Sequence, residues 1–165
     1  MAATPQRRDL LALLAWTALT FAAAALGGLA SAQARGFYQE LARPAWAPPG
    51  WLFGPVWTLL YALMALAVWL VWRDRGLRGA KAPITLYLVQ LALNAVWTWL
   101  FFVLRSGFLA FLDVVVLAAL VLATLITFWR VRCLAGLLLI PYLAWTLFAS
   151  ALTWSVWRMN PGSLG

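Results

Sequence analysis

Histidine is absent from all 165 residues, cysteine occurs once (Cys133), and there are four acids: Asp9, Glu40, Asp74 and Asp113. These shortages exclude several kinds of chemistry. Zinc is held by combinations of His, Cys and carboxylate, and no such set can be gathered from this inventory, so no metal site is expected. A Ser-His-Asp or Cys-His nucleophile has no base. One cysteine cannot close an internal disulfide and says nothing of redox compartment. Charged residues make up 10% of the chain, against about 25% in soluble domains, while 66% are hydrophobic, which excludes a water-soluble domain. The net charge of +8 does not point to nucleic acid. Lys and Arg fall singly or in short groups between apolar runs, the pattern that anchors membrane spans.

Long apolar runs are what the chain has in quantity. A hydrocarbon core of about 30 Å takes about 20 residues of helix. Leu10 to Ala30, Trp51 to Trp72, Ala82 to Leu104 and Cys133 to Trp157 qualify without a charge, and Ser106 to Trp129 qualifies with one, Asp113. The expected fold class is an all-α membrane protein, a five-transmembrane-helix bundle formed by residues 1–165 as one domain. Three connections are short, and only 31–50 is long enough to serve as a functional loop. Within it Pro44, Pro48 and Pro49 stiffen the approach to the second span. Pro55 falls in that helix's first turn, where a missing N–H costs nothing. Arg35 to Leu41 is predicted to form a short helix lying over the bundle.

Cation asymmetry sets the expected orientation. Arg7, Arg8, Arg73, Arg75, Arg78, Lys81, Arg130 and Arg132 lie on one side, and Arg35, Arg43, Arg105 and Arg158 on the other, which places the N-terminus in the cytoplasm. A rival reading takes Arg7-Arg8, the first apolar run and Ala32-Gln33-Ala34 as a secretory signal, but that run exceeds the usual apolar core of about 7–15 residues. No internal repeat is visible. Ala24, Gly28, Ala32 and Gly36 space small residues every four positions and suit either a dimer face or packing within the bundle.

Helical rise places the distinctive side chains by depth. Measured from the side that carries the 31–50 connection, Trp57 and Tyr61 lie about 9 and 15 Å in, Trp97 and Asn94 about 10 and 15 Å, Asp113 about 10 Å, and Ala149 and Trp145 about 12 and 18 Å. Trp57, Tyr61 and Met64 share one helical face, as do Gln90, Asn94 and Trp97, and Tyr142, Trp145 and Ala149. Buried amides need partners in hydrocarbon, so Gln90 and Asn94 are expected to point inward. Asp113 is expected to be a structural residue paired with a hydroxyl, a backbone amide or Arg105. Trp51, Trp72, Trp129 and Trp157 sit at span ends, where indole favours the headgroup level. The deeper tryptophans fit either a ligand pocket or plain packing.

Several motifs in order resemble those of the TspO/MBR family, the tryptophan-rich sensory and translocator proteins. Arg43-Pro44-Ala45-Trp46-Ala47-Pro48-Pro49-Gly50-Trp51 resembles the family's loop motif, followed by Val56-Trp57 and Leu60-Tyr61-Ala62-Leu63-Met64. Gln90-Leu91-Ala92-Leu93-Asn94 with Trp97, Pro141-Tyr142-Leu143-Ala144-Trp145 and Val156-Trp157-Arg158-Met159-Asn160 are similar to later family signatures, and Asp113 stands where relatives often have aspartate. The resemblance implies an integral membrane homodimer, and the Arg- and Ala-rich composition suggests a bacterial source. The resemblance also implies a pocket beneath the first loop that takes porphyrin, haem or another flat apolar molecule, with no cofactor required. The implied pocket residues are Trp46, Trp57, Tyr61, Asn94, Trp97, Tyr142, Trp145 and Ala149. Without histidine, haem is expected to be recognised by stacking rather than by iron coordination. The implied role is a tetrapyrrole-binding sensor or transport accessory. The alternatives are a weak light- and oxygen-dependent porphyrin-degrading activity carried by Trp57 and Trp145, and a translocator of sterols or other small molecules. Two departures stand out. Trp99 replaces a proline common in relatives, which predicts a straighter helix end, and Trp154 stands where a sterol motif requires tyrosine.

Overall fold

The computed structural model describes residues 5–32 and 35–165. Its elements are α1 (Pro5–Ala32), α2 (Arg35–Glu40), α3 (Phe53–Gly79), α4 (Lys81–Thr98), α5 (Gly107–Val131), α6 (Cys133–Leu137), α7 (Ile140–Met159) and α8 (Pro161–Leu164). A 3-10 turn, Gly50–Leu52, leads into α3, and a π turn, Trp99–Val103, ends α4. Five segments are long and apolar enough to cross a membrane: Gln6–Ala32, Gly50–Gly79, Lys81–Val103, Gly107–Val131 and Cys133–Met159.

The spans close into a ring in which α1 packs on α3 and α4, α4 on α5, and α5 on α7. The circuit shuts between α7 and α3, whose backbones approach each other least among these neighbours. Most of the exposed large side chains are apolar, among them Leu14, Leu59, Leu112 and Leu147, as expected of residues facing acyl chains rather than water. Inside, Met64, Val68 and Val71 of α3, Tyr87 of α4 and Phe128 of α5 are fully enclosed. Tyr87 hydroxyl and Thr20 Oγ1 lie 2.6 Å apart and tie α4 to α1, giving each buried hydroxyl a partner where water is excluded.

The helices depart from a simple reading of the apolar runs at four places, each with a local cause. First, α3 continues through the basic stretch as far as Gly79, with a break at Gly76, whose φ of 65° lies in the left-handed region that glycine tolerates. Second, the last span divides at Leu138–Leu139 into α6 and α7, because Pro141 in the first turn of α7 has no N–H to continue the upstream ladder. Third, the end of α4 is not straight. Without a proline it widens into the π turn, with Leu104 N donating to Trp99 O at 2.9 Å, and the Trp99 indole donates to Leu26 O of α1 at 3.2 Å. Fourth, Gly27 rather than Gly28 seats α1 on α4. A methyl at Gly27 would lie 3.2 Å from Thr98 Oγ1, whereas Gly28 has nothing within 4 Å. Gly28, Ala32 and Gly36 are exposed, so these three do not pack within the bundle. Gln33 and Ala34 of the candidate cleavage sequence lie outside the described residues.

The start of α1, the end of α3 and the α5–α6 corner share one end of the bundle. Arg8 stands 5.4 Å over the Trp72 ring, Trp69 Nε1 donates to Asp9 O at 3.0 Å, and Arg132 pairs with Asp74 at 3.1 Å. The eight-cation side of the sequence is thereby gathered at the end opposite α2.

At two glycines a tryptophan lies directly against the backbone. A Cβ at Gly107 would overlap the Trp157 ring, and one at Gly136 would stand 2.8 Å from Trp129 Cβ and 2.9 Å from its Cα. Gly107→Ala and Gly136→Ala are each expected to destabilise the bundle by about 1–3 kcal/mol through overpacking. Gly28→Ala, with open space around it, is expected to change little. Thermal unfolding of the purified variants in one detergent, followed by helical circular dichroism, checks the contrast.

Candidate functional site

The site is built on the α3–α7 seam. On α3 the residues Phe53, Trp57, Tyr61 and Met64 recur at helical spacing and form one stripe. α7 presents Tyr142, Trp145 and Phe148 toward it, and α4 contributes Gln90 and Asn94 from the side.

At the deep end lies a hydrogen-bonded chain of four side chains from three helices. Tyr61 hydroxyl donates to Asn94 Oδ1 at 2.6 Å, Asn94 Nδ2 donates to Tyr142 hydroxyl at 2.8 Å, and Tyr142 hydroxyl donates to Gln90 Oε1 at 2.8 Å. All four residues are buried. Asn94 accepts from one tyrosine and donates to the other, which a single carboxamide between two hydroxyls can do and an apolar residue cannot. Gln90 Nε2 has no partner among the described residues.

Above this floor the seam is filled with rings. Trp57 lies 5.6 Å from Tyr61 and 6.2 Å from Tyr142 between centroids. Phe53 meets Trp145 at 5.9 Å, Trp145 meets Phe148 at 5.3 Å, and the connection adds Tyr38 against Phe53 at 5.7 Å and Trp46 against Phe148 at 5.7 Å. Most of these pairs are edge-to-face or tilted, the arrangements favoured by the ring quadrupole. Trp57, Tyr61, Tyr142, Trp145 and Trp46 are thus brought to one seam, with Asn94 at its base and Ala149 partly buried one turn beyond Trp145. The ring pairs form two groups, Trp57 with Tyr61 and Tyr142, and Phe53, Trp145 and Phe148 with Tyr38 and Trp46. An open surface depression of about 490 Å³ lies at the connection, lined by Leu41, Arg43, Pro44, Ala47, Pro48 and Pro49.

Trp97 stacks on Phe101 at 5.3 Å and 14° and meets Phe102 edge-on at 6.0 Å where the π turn brings the two phenylalanines round, and it packs on the same buried cluster as Tyr38, Phe53 and Phe148. Its Nε1 is buried and has no partner among the described residues. Asp113 is buried at 8% exposure, but its Oδ2 likewise has no hydrogen-bond partner among the described residues. Arg105 does not supply one, since its guanidinium lies 4.5 Å over the Phe37 ring.

Tyr38, Phe53 and Phe148 were not singled out from sequence, although Phe53 is one turn before Trp57 and Phe148 three residues after Trp145, positions that helical spacing puts on the same faces. Tyr38 is half-buried under the guanidinium of Arg43, 5.1 Å above its ring. Burial pushes the Tyr38 phenol above the ordinary tyrosine value, and the Arg43 charge partly offsets this.

Comparison with known proteins bears on most of the chain. The model of the TspO/MBR family matches residues 16–158. The chain is 41% identical over 131 residues to the translocator protein of Homo sapiens, covering 78% of each. It is 40% identical over 130 residues to Protein CrtK of Rhodobacter capsulatus, covering 76% of this chain and 79% of that one. It is 37% identical over 124 residues to a tryptophan-rich sensory protein of Cereibacter sphaeroides, covering 75% and 77%.

Because one carboxamide serves both tyrosines, removing it strands the buried Tyr61 hydroxyl and leaves Tyr142 only its bond to Gln90. Asn94→Ala is expected to cost about 1–3 kcal/mol. Tyr61→Phe and Tyr142→Phe are each expected to cost less, and their combination to cost less than their sum, because Asn94 joins them into one network. Unfolding of the three variants and the double variant in detergent gives the coupling directly.

Proposed function

The chain belongs to the TspO/MBR family, and from that premise we propose that this integral membrane protein binds a flat apolar molecule of the tetrapyrrole class in the α3–α7 seam. Its role in that reading is a porphyrin sensor or transport accessory. The observation that carries it is the column of rings from Tyr38 and Trp46 down to Trp57, set between the two neighbouring helices whose backbones approach least. A planar macrocycle offers each of these rings a stacking partner in place of another ring.

The residues take distinct parts in the proposed site. Trp57 and Trp145 stack on the guest, Trp46 closes the rim, and the small side chain of Ala149 leaves room beside Trp145. Tyr61, Asn94 and Tyr142 form a floor whose polar groups already satisfy one another, so the surface offered to the guest is mostly apolar, as ligand pockets are. Trp97 adds a buried indole N–H without a partner among the described residues, a donor free to meet a polar edge of the guest. Trp57 meets Tyr61 and Tyr142, and Trp145 meets Phe53 and Phe148, so a guest stacking on either indole would displace one of these neighbours.

Titration of the full chain in detergent with protoporphyrin IX, followed by its Soret band, tests the proposal. Saturable binding is expected, with Trp57→Phe and Trp145→Phe each weakening it about 3- to 10-fold. Trp154→Phe, on the exposed side of α7, is expected to leave it unchanged. Equal binding by all four proteins would place the guest elsewhere.

A further inference from the structure

The segment 36–50 is held over the seam from the far end of the chain. Asn160 follows α7, and its side-chain carboxamide engages the backbone of Ala42 at both groups. Ala42 N donates to Asn160 Oδ1 at 2.9 Å, and Asn160 Nδ2 donates to Ala42 O at 2.8 Å, across 118 residues of sequence. The same Nδ2 donates to Val156 O at 2.7 Å, which serves a carbonyl of the last turn of α7 and fixes the side chain's direction. The Asn160 carbonyl in turn accepts from Ser163 N at 3.2 Å and Leu164 N at 3.0 Å, which brings Leu164, fully buried, against Phe37 and Leu41. One residue therefore joins the connection, the end of α7 and the turn α8.

We infer that Asn160 is a positioning residue that latches the 36–50 connection over the ligand seam, and that opening of this latch sets how fast a ligand enters and leaves. The inference rests on the proposed pocket. Ala42 lies between Tyr38 and Trp46, the two residues by which the connection caps the ring column, so releasing Ala42 frees both caps. The other ties on the connection are of a different kind. Phe37 under Arg105 and the Leu41–Leu164 cluster are face and apolar contacts that tolerate sliding, whereas the Asn160 pair is directional. It is also solvent-exposed, so water competes for the same groups and the latch can break and re-form without leaving a buried polar atom unpaired.

The test uses the full chain in detergent with two measurements on Asn160→Ala. Asn160→Asp, which keeps the volume but loses the donor to Ala42 O, serves if the alanine variant fails to fold. Backbone hydrogen exchange of the 36–50 segment is expected to rise about tenfold, while exchange in α5 stays unchanged. Stopped-flow mixing with protoporphyrin IX is expected to show association and dissociation both faster, about 5- to 10-fold, with the equilibrium constant altered far less. Unchanged exchange overturns the latch whatever the ligand does. Raised exchange with unchanged ligand rates reduces Asn160 to a cap on α7 and overturns the gating role. Absence of saturable binding to the unsubstituted chain, with exchange still raised in the variant, removes the pocket and with it the gate, and leaves Asn160 as a tether of the connection.

Discussion

The hydrocarbon interior offers no water to a stranded polar group, and this constraint organises the rest of the molecule. Tyr61, Asn94 and Tyr142 come from three helices and are tolerable at their depth because each bonds another, with Gln90 Oε1 accepting from Tyr142. The chain of bonds fixes how α3, α4 and α7 are rotated about their axes, since a turned helix would aim its amide or phenol at lipid. Rotation in turn decides what lies above. With Tyr61 and Tyr142 committed to Asn94, the residues one turn nearer the connection on α3 and α7 are Trp57 and Trp145, and both must face the seam.

The seam is also where the bundle has least backbone contact. Elsewhere small residues set the spacing: Gly27 lets α1 reach α4, and Gly107 and Gly136 lie under the rings of Trp157 and Trp129. Between α3 and α7 the spacers are indoles, phenols and phenyl groups. Large planar side chains hold two helices apart while filling the interval, and in the proposed binding the same residues would line the guest.

Much of this was legible in the sequence. The five spans follow from run length because the membrane sets one thickness, and the shared faces follow from a 3.6-residue period. Depth counting places Trp57, Tyr61, Asn94 and Trp145 at neighbouring levels, and helical spacing puts Tyr142 on the face of Trp145. Counting does not reveal which helices are adjacent, nor that Trp97 stacks on Phe101. Nor could it foresee geometry that depends on single backbone positions: the break at Gly76, the division before Pro141, or the π turn that Trp99 accompanies where a proline is common. A missing proline removes one cause of bending and leaves others. Asp113 shows another limit, because a residue count predicts that a buried carboxylate needs a partner but cannot say that the neighbouring arginine is occupied by Phe37. The bond from Asn160 to Ala42 was hidden for a simpler reason, since 118 residues separate its ends and neither residue type advertises the other.

The two ends of the seam differ in what opening them would cost. At the floor, parting Tyr61 or Tyr142 from Asn94 leaves buried groups unpaired, at about 1–3 kcal/mol each, and an apolar guest offers no compensation. Along the ring column, each separated pair gives up about 0.5–1.5 kcal/mol of specific contact, which a planar guest restores by stacking on the same faces. At the rim, the bonds between Asn160 and Ala42 are exposed, and water replaces them at a net of about 0.5–1.5 kcal/mol apiece. Opening is cheapest from the connection downward, and a planar guest that exchanges ring contacts layer by layer would stop at the hydrogen-bonded floor. In the proposed binding, the depth such a guest reaches would be set by Asn94 and its two tyrosines, and the rate at which it arrives by the connection above.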